Sequence, residues 1–270
     1  DRNSPEFLIE DTHQSLADTK EWLEASAQFG PLVKPIITPR FVPSCTSELM
    51  SGLGKLAEAY NVPVQSHLSE NHGKIEWVAA LHPEAANYTD VYYEHHLMGK
   101  VPTVMAHCIH LSDVEMDRMA ETQTMVSHCP YSNVNLSSGI APIRKLFERK
   151  IPIGLGSDIS GGHIVSMAKV LTEAIGLSKM KWVEVDQTYA PLTLSEAFYM
   201  ATKGGGKFFG KVGSFEKGCE LDALVIDDTT LFDPNERSLE ERLERWLYVG
   251  DDRHIIERYV AGKVGPEPTN

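Results

Sequence analysis

Side chains that can bind a metal ion or transfer a proton follow five short apolar runs of this sequence. The runs are Val33–Ile37, Val62–Gln65, Thr103–Ala106, Thr124–Ser127 and Ile151–Leu155. The polar or aromatic residues that follow them are Arg40, Phe41, His67, Glu70, His107, His128 and Asp158. Imidazole and carboxylate groups suit Zn²⁺ and can also accept Fe²⁺ or Mn²⁺. The set therefore predicts a hydrolytic metal site.

His67 and Glu70 form the strongest local pair of this set. An imidazole at the end of a strand can hold a metal while a carboxylate three residues later transfers protons. Asp158 can share the metal and accept a proton from its bound water. Each residue alone also has an ordinary structural explanation, since a histidine can simply pack, Asp158 can cap a turn and Arg40 can form a salt bridge. Five such strand endings in one chain favour the joint, chemical explanation.

These residues can meet only if the apolar runs are neighbouring parallel strands. Helical patterns separate the runs, at Ser47–Tyr60, Ile75–Leu81, Ser112–Glu121 and Ile143–Lys150. Alternation of strands and helices implies right-handed βαβ units, and the carboxyl ends of barrel strands meet at one mouth. The sequence therefore predicts an α/β fold with the candidate residues at one end of a parallel sheet.

The two ends of the chain carry different patterns. We expect a surface helix over Glu10–Gln28 and another helix over Leu192–Phe209. After that, turn glycines precede the apolar run Ala223–Ile226, and the helix Leu239–Trp246 leads to the alternating segment Ile255–Val260. This change of pattern predicts a barrel domain over residues 1–211 and a small β domain over residues 212–270.

Composition narrows the possible partners and compartment. The 270 residues carry a formal net charge of −13, which disfavours nucleic acid and anionic membrane surfaces. The cysteines are scattered without a CxxC pair, which indicates a reducing, cytoplasmic location. The polar first residues do not resemble a signal peptide, and no apolar run approaches the roughly 20 residues of a membrane span. A small neutral or cationic ligand is the expected partner.

Six segments together resemble the guanine deaminases of the amidohydrolase superfamily. They are KPIITPRF (Lys34–Phe41), VQSHLSEN (Val64–Asn71), TVMAHCIHLS (Thr103–Ser112), SHCPYSN (Ser127–Asn133), GLGSDISGG (Gly154–Gly162) and YVGDDRHIIERYVAGK (Tyr248–Lys263). The histidines and the aspartate mark the superfamily, whereas the PRF triplet, the SHLSEN form and the LYVGDDR ending are typical of guanine deaminases. The resemblance extends over nearly the whole chain.

This resemblance implies a (β/α)8 TIM barrel, of which the chain holds strands four to eight, with part of a small β-sandwich domain. It also implies hydrolysis of guanine to xanthine and ammonia by a cytoplasmic homodimer that uses one Zn²⁺ per subunit, with Fe²⁺ as second choice. His67 and Asp158 would be zinc ligands, Asp158 also a base, and His107 a contact to the metal-bound water or a further ligand. Glu70 would protonate the purine ring, and Arg40 with Phe41 would bind it.

Two further expectations come from the same resemblance. His128 with Cys129, Pro130, Ser132 and Asn133 would shape the pocket. The family has two more zinc ligands in an HxH pair on the first barrel strand, and this sequence contains no HxH. We therefore expect this chain to be part of a longer enzyme and to lack barrel strands one to three. By itself it should bind zinc weakly and have no catalytic activity.

Other functions are compatible with the same residues. The chain could deaminate another heterocycle, such as an 8-oxoguanine, a pterin, a triazine or an adenosine-type compound. It could also be a non-catalytic fragment that serves as an interaction module. The pair Arg40–Phe41 and the lack of an obvious ribose site favour a free purine base. The unrelated cytidine-deaminase zinc site needs H-x-E with P-C-x-x-C, and this sequence contains no P-C-x-x-C.

Overall fold

A computed structural model describes residues 1–265 of the chain, which divide into two compact units. The first unit comprises Asp1–Ser127 with Ala141–Pro152, and the second comprises His128–Ile140 with the chain from Ile153 onwards. Among the described residues, no helix combines the length and the apolar character needed to cross a bilayer.

The described chain alternates helices with short strands. The helices are α1 (Thr12–Ser26), α2 (Ser47–Tyr60), α3 (His72–Leu81), α4 (Tyr88–Glu94), α5 (Asp113–Glu121), α6 (Pro130–Asn135), α7 (Ile143–Glu148), α8 (Met167–Glu184), α9 (Leu194–Tyr199) and α10 (Leu239–Val249). The strands are β1 (Val64–Leu68), β2 (Thr103–His107), β3 (Met125–His128), β4 (Ile153–Leu155), β5 (Ala223–Ile226), β6 (Ile255–Val260) and β7 (Lys263–Val264). The order confirms the predicted α/β class.

Strands β1 to β4 form one sheet in the order β1-β2-β3-β4. β1 pairs with β2 and β2 pairs with β3, both in parallel, and the register places Leu68 opposite His107. In β1 the buried residues Val64, Ser66 and Leu68 alternate with more exposed ones. This alternation follows from the period of two in a strand, and it leaves His67 on the face opposite to Leu68.

The first predicted strand, Val33–Ile37, is wrong. Only Ile37 joins the sheet, through an isolated parallel bridge to Val64. Its N–H donates to the carbonyl of Pro63 at 2.9 Å, and its carbonyl accepts from Gln65 N–H at 2.9 Å. Proline has no N–H for a ladder, and Pro35 and Pro39 lie two residues before and after Ile37. The segment therefore contributes one bridge residue and then leads directly to Arg40.

The second unit contains its own antiparallel sheet of β5, β6 and β7. The register pairs Ala223 with Tyr259, and an irregularity lies between Val225 and Ile226. This confirms the predicted strands Ala223–Ile226 and Ile255–Val260. The single helix predicted over Leu192–Phe209 is wrong in part, because α9 is followed by a π-helical turn over Met200–Gly204.

Candidate active site

The end of β1 holds His67 in one tautomer. Its Nδ1 lies 2.6 Å from the backbone carbonyl of Arg40, and a carbonyl oxygen can only accept, so Nδ1 carries the hydrogen. Desolvation by burial lowers the pKa of His67 and outweighs the hydrogen bond to the Arg40 carbonyl, which acts in the opposite direction. The ring is therefore neutral at neutral pH, and Nε2 has a lone pair that can bind a metal.

A buried tyrosine of α4 supports the same strand end. The Tyr92 hydroxyl donates to the carbonyl of His67 at 2.9 Å and lies 2.7 Å from Oγ of Ser66. The Ser66 hydroxyl also lies 2.8 Å from the carbonyl of Pro39. Desolvation raises the pKa of Tyr92, so its phenol remains protonated. These bonds join α4, β1 and the segment that carries Arg40.

Glu70 is buried just beyond β1, with 3% of its surface exposed. The chain reaches it through Ser69, whose φ of 45° lies in the left-handed region. The Glu70 carboxylate forms an ion pair with the Lys74 ammonium of α3, and its Oε2 lies 3.9 Å from Nε2 of His107. A buried carboxylate beside an imidazole is a suitable proton-transfer group.

His107 ends β2 and is followed by an unusual backbone. His107 and Cys108 have φ values of 71° and 51°, so two consecutive residues other than glycine are left-handed. Such conformations cost about 1–3 kcal/mol each, and strained backbone of this kind is found at active sites. Cys108 N–H donates to the carbonyl of Leu68 at 3.0 Å, which ties this turn to β1. The His107 ring stacks on His67, with centroids 5.3 Å apart.

Phe41 provides an aromatic surface next to these groups. Its ring centroid lies 6.4 Å from that of His67 and 6.4 Å from that of Trp77. The Arg40 guanidinium is 5.7 Å from the same ring. The first unit thus brings together five of the predicted residues, namely Arg40, Phe41, His67, Glu70 and His107. Trp77, Lys74 and Tyr92 join them without having been predicted.

Asp158 lies in the second unit, three residues after β4. Its φ of 44° is left-handed, and its carbonyl accepts from Gly162 N–H at 2.6 Å. A Cβ at Gly161 would lie 2.6 Å from the Asp158 Oδ2 and 2.7 Å from Oγ of Ser132. A side chain at Gly161 would have to displace one of these two groups, so the glycine lets the carboxylate and the hydroxyl approach the same point.

Ser132 is an unusual member of this second group. It is fully buried, and its hydroxyl has no hydrogen-bond partner within the part of the chain that the structure describes. Buried polar atoms without a partner are rare and often mark functional sites. His128, the last residue of β3, is also buried, and its carbonyl accepts from Gly156 N–H at 2.9 Å. The loop after β4 is thereby tied to the end of β3.

The chemical types of the candidate ligand side chains suit zinc. A neutral imidazole at His67 and a carboxylate at Asp158 are ordinary zinc ligands. Within residues 1–265, however, no group of three or more histidine, cysteine, aspartate or glutamate residues could hold a metal ion. A catalytic zinc normally keeps three protein ligands, so the described residues offer fitting donors but no complete set.

Sequence patterns could have found some of the missed residues. Lys74 follows Glu70 by four residues at the start of a helix, which is the spacing of a side-chain pair. Gly161 stands in a GG pair after Asp158. Tyr92 gave no such signal, because its contacts to Ser66 and His67 span 26 and 25 residues of sequence.

The chain is similar to known proteins in sequence and in fold. A sequence model of the Amidohydrolase family matches residues 4–265. Guanine deaminase of Dictyostelium discoideum is 43% identical over 97% of this chain and 60% of its own length. Guanine deaminase of Escherichia coli K12 is 37% identical over 98% of this chain and 60% of its own length. The crystal structure of guanine deaminase from C. acetobutylicum, with guanine bound in the active site, matches with a TM-score of 0.95 and 52% identity, over 98% of this chain and 63% of that chain.

These matches cover different shares of this chain and of its relatives. Nearly all of this chain is matched, yet it spans only 60% of the length of the two curated relatives. The family match covers almost every described residue, including all seven candidate site residues from Arg40 to Asp158. The chain belongs to the amidohydrolase family.

Proposed function

We propose that this chain carries catalytic residues of a guanine deaminase, which hydrolyses guanine to xanthine and ammonia. The observation that carries the proposal is the buried Glu70 carboxylate beside His107, with the His67 and Phe41 rings next to them. This group combines a proton-transfer residue, a metal-binding nitrogen and an aromatic surface for a planar base. The similarity to a guanine deaminase with guanine bound in its active site supports the choice of substrate.

The candidate metal ligands are His67 and Asp158, with His107 as a further candidate. Zinc, when bound by these residues, would supply Lewis acidity that makes water a nucleophile near neutral pH. The Nδ1–H of His67 donates to the Arg40 carbonyl, which orients Nε2 toward a ligand position. Fe²⁺ is the second choice for the same donors.

Glu70 would move protons during the reaction. Addition of water to C2 of guanine makes that carbon tetrahedral, and protonation of the adjacent N3 prevents negative charge from accumulating on the ring. The amino group then leaves as ammonia, which requires a further proton. Asp158 would accept a proton from the attacking water, and His107 would stabilise the developing tetrahedral centre.

Arg40 and Phe41 would bind the purine. The Phe41 ring can cover one face of a planar base, and the Arg40 guanidinium has several donors for purine oxygen and nitrogen acceptors. His128 and Ser132 would shape the pocket. The same proposal includes a TIM barrel with strands four to eight in residues 1–211, a share of a small β-sandwich in residues 212–270, and a cytoplasmic homodimer.

The test is an assay of the natural protein that carries this sequence, with zinc content measured in the same preparation. Guanine-to-xanthine conversion is followed by absorbance, and ammonia release is compared over guanine, 8-oxoguanine, a pterin, a triazine and adenosine. We expect guanine to be preferred. Glu70→Gln should keep the metal and lower kcat by at least about 100-fold. A clear preference for another substrate, or a Glu70→Gln variant with near-normal turnover, contradicts the proposal.

A further inference from the structure

Lys74 of α3 contacts two residues of the candidate active site. Its ammonium forms a hydrogen-bonded ion pair with the Glu70 carboxylate. The same ammonium lies 5.4 Å from the centroid of the Phe41 ring. The Glu70 side chain is 4% exposed and the Lys74 side chain 30%, so the ion pair is largely shielded from water. One cation therefore joins the proposed proton-transfer group to the proposed purine-binding ring.

The position of Lys74 in its helix needs an explanation. Lys74 is the third residue of α3, and its backbone N–H donates to the side chain of the N-cap Asn71 at 2.9 Å. The first turn of a helix carries partial positive charge, which disfavours a cation there. In a capping box the third position of the helix is glutamate or glutamine, not lysine. The Glu70 carboxylate, just before the N-cap, offsets the repulsion and keeps the lysine in place.

Lys74 and His107 approach the same oxygen atom of Glu70. Lys74 Nζ pairs with Oε2, and Nε2 of His107 lies 3.9 Å from that Oε2. The hydrogen-bonded ion pair with Lys74 at one carboxylate oxygen restricts rotation of the carboxyl group. A proton-transfer group works efficiently only when its orientation toward the substrate is fixed before the reaction.

We infer that Lys74 is a positioning residue that fixes the orientation of the Glu70 carboxyl group for proton transfer and supports the Phe41 ring. This inference rests on the proposed deaminase function. It assigns Lys74 an indirect role, because Lys74 acts through Glu70 and not on the reacting atoms. Its removal should therefore lower kcat more than it changes the KM for guanine.

The experiment compares kcat and KM for guanine in the natural protein and in its Lys74→Met, Lys74→Arg and Lys55→Met variants. Lys55 is an exposed lysine of α2, so Lys55→Met is a matched loss of one charge in a helix. We expect Lys74→Met to lower kcat about tenfold or more with KM within about threefold. Lys74→Arg keeps the ion pair and should restore kcat to within about threefold. Lys55→Met should have the same kcat and KM for guanine as the parent.

A thermal unfolding cycle tests the contact without turnover. The midpoints of the parent, Lys74→Met, Glu70→Gln and the double variant are compared. We expect Lys74→Met to shift the midpoint less in the Glu70→Gln background than in the parent. An active parent with an unaffected Lys74→Met variant, or with a Lys74→Arg variant as impaired as Lys74→Met, overturns this inference alone. A parent that deaminates no substrate overturns the proposed function and this inference with it.

Discussion

Gly161 shows how one missing side chain can define a site. Its position leaves space that the Asp158 carboxylate and the Ser132 hydroxyl share, and both side chains belong to the second unit. A methyl group placed there would lie closer to both oxygens than real Cβ atoms ever do. The local sequence supplied Asp158 as a candidate, whereas the role of Gly161 depends on a close approach that spacing alone cannot reveal.

Gly161→Ala should impair the reaction because the methyl group must displace the Asp158 carboxylate or the Ser132 hydroxyl. We expect roughly a tenfold or larger loss in kcat/KM for guanine. Gly176→Ala is the matched control, since a Cβ at this glycine of α8 would meet nothing within 4 Å. That control should keep its activity and gain about 0.5–1 kcal/mol of stability from higher helix propensity. Equal activity of the two variants would remove Gly161 from the site.

Helix α5 supports the site through its N-terminal capping residues. Ser112 and Glu115 form a capping box, and Oε1 of Glu115 also accepts from the Thr89 hydroxyl at 3.2 Å and the Ser69 hydroxyl at 3.5 Å. Glu115 is 6% exposed, and Ser69 directly precedes Glu70. One buried carboxylate thus joins α5, α4 and the turn that presents Glu70.

Glu115→Ala should lower the free energy of unfolding by about 2–3 kcal/mol, because buried donors lose their acceptor and a helix loses its cap. Urea unfolding of the purified variants measures this difference. Glu241→Ala removes the equivalent residue of the exposed capping box on α10 and should cost much less. If the two variants lost equal stability, the contacts of Glu115 to α4 and Ser69 would not contribute to the free energy of unfolding.

The sequence predicted helices and strands well where the residues that determine them lie close together along the chain. The helix Ser47–Tyr60 was predicted at its exact bounds, and its N-cap Thr46 is a typical signal. The helix Met167–Glu184 was not predicted, although its buried residues Val170, Leu171, Ala174 and Ile175 have helical spacing. The prediction of a strand over Val33–Ile37 is wrong because it relied on apolar composition and disregarded Pro35 within the run and Pro39 just after it.

At the level of the entire chain, the sequence predicted which side chains would gather but not what would hold them. The strand ends of the first unit bring His67, Glu70 and His107 together, as parallel pairing requires. The supporting contacts come from Tyr92 and Glu115, which are distant in sequence and lie on helices. Such long-range polar contacts depend on tertiary packing, so no local sequence pattern predicts them. The joint location of Asp158 with His67 stays a prediction.

The stability of the folded chain should fall at alkaline pH because Tyr92 resists ionisation. Burial raises the pKa of Tyr92 in the folded state, whereas the unfolded chain ionises at its ordinary pKa of about 10. Above that pH the unfolded state binds fewer protons than the folded state, so the free energy of unfolding decreases as pH rises. Urea unfolding at pH 8 and at several values above 10 measures this slope.

Tyr92→Phe should reduce the alkaline slope and also lower stability at pH 8 by about 1–3 kcal/mol, because Ser66 and the His67 carbonyl lose a partner. Tyr93→Phe is the control, since Tyr93 is a neighbouring, 40% exposed tyrosine of α4. Its variant should keep the alkaline slope of the parent. Identical slopes in all three proteins would assign the pH dependence to other groups.

The hydrogen bonds that hold His67 and Ser66 to the Arg40 segment use main-chain carbonyls of that segment. The Arg40 carbonyl accepts from His67, and the Pro39 carbonyl lies near the Ser66 hydroxyl. A backbone carbonyl is present whichever side chain a position carries. If Arg40 and Phe41 bind the substrate as proposed, new side chains at positions 40 and 41 can change substrate preference while the His67 imidazole keeps its tautomer. This separation would give relatives of the chain a route to new heterocycles that leaves the proposed metal-binding nitrogen undisturbed.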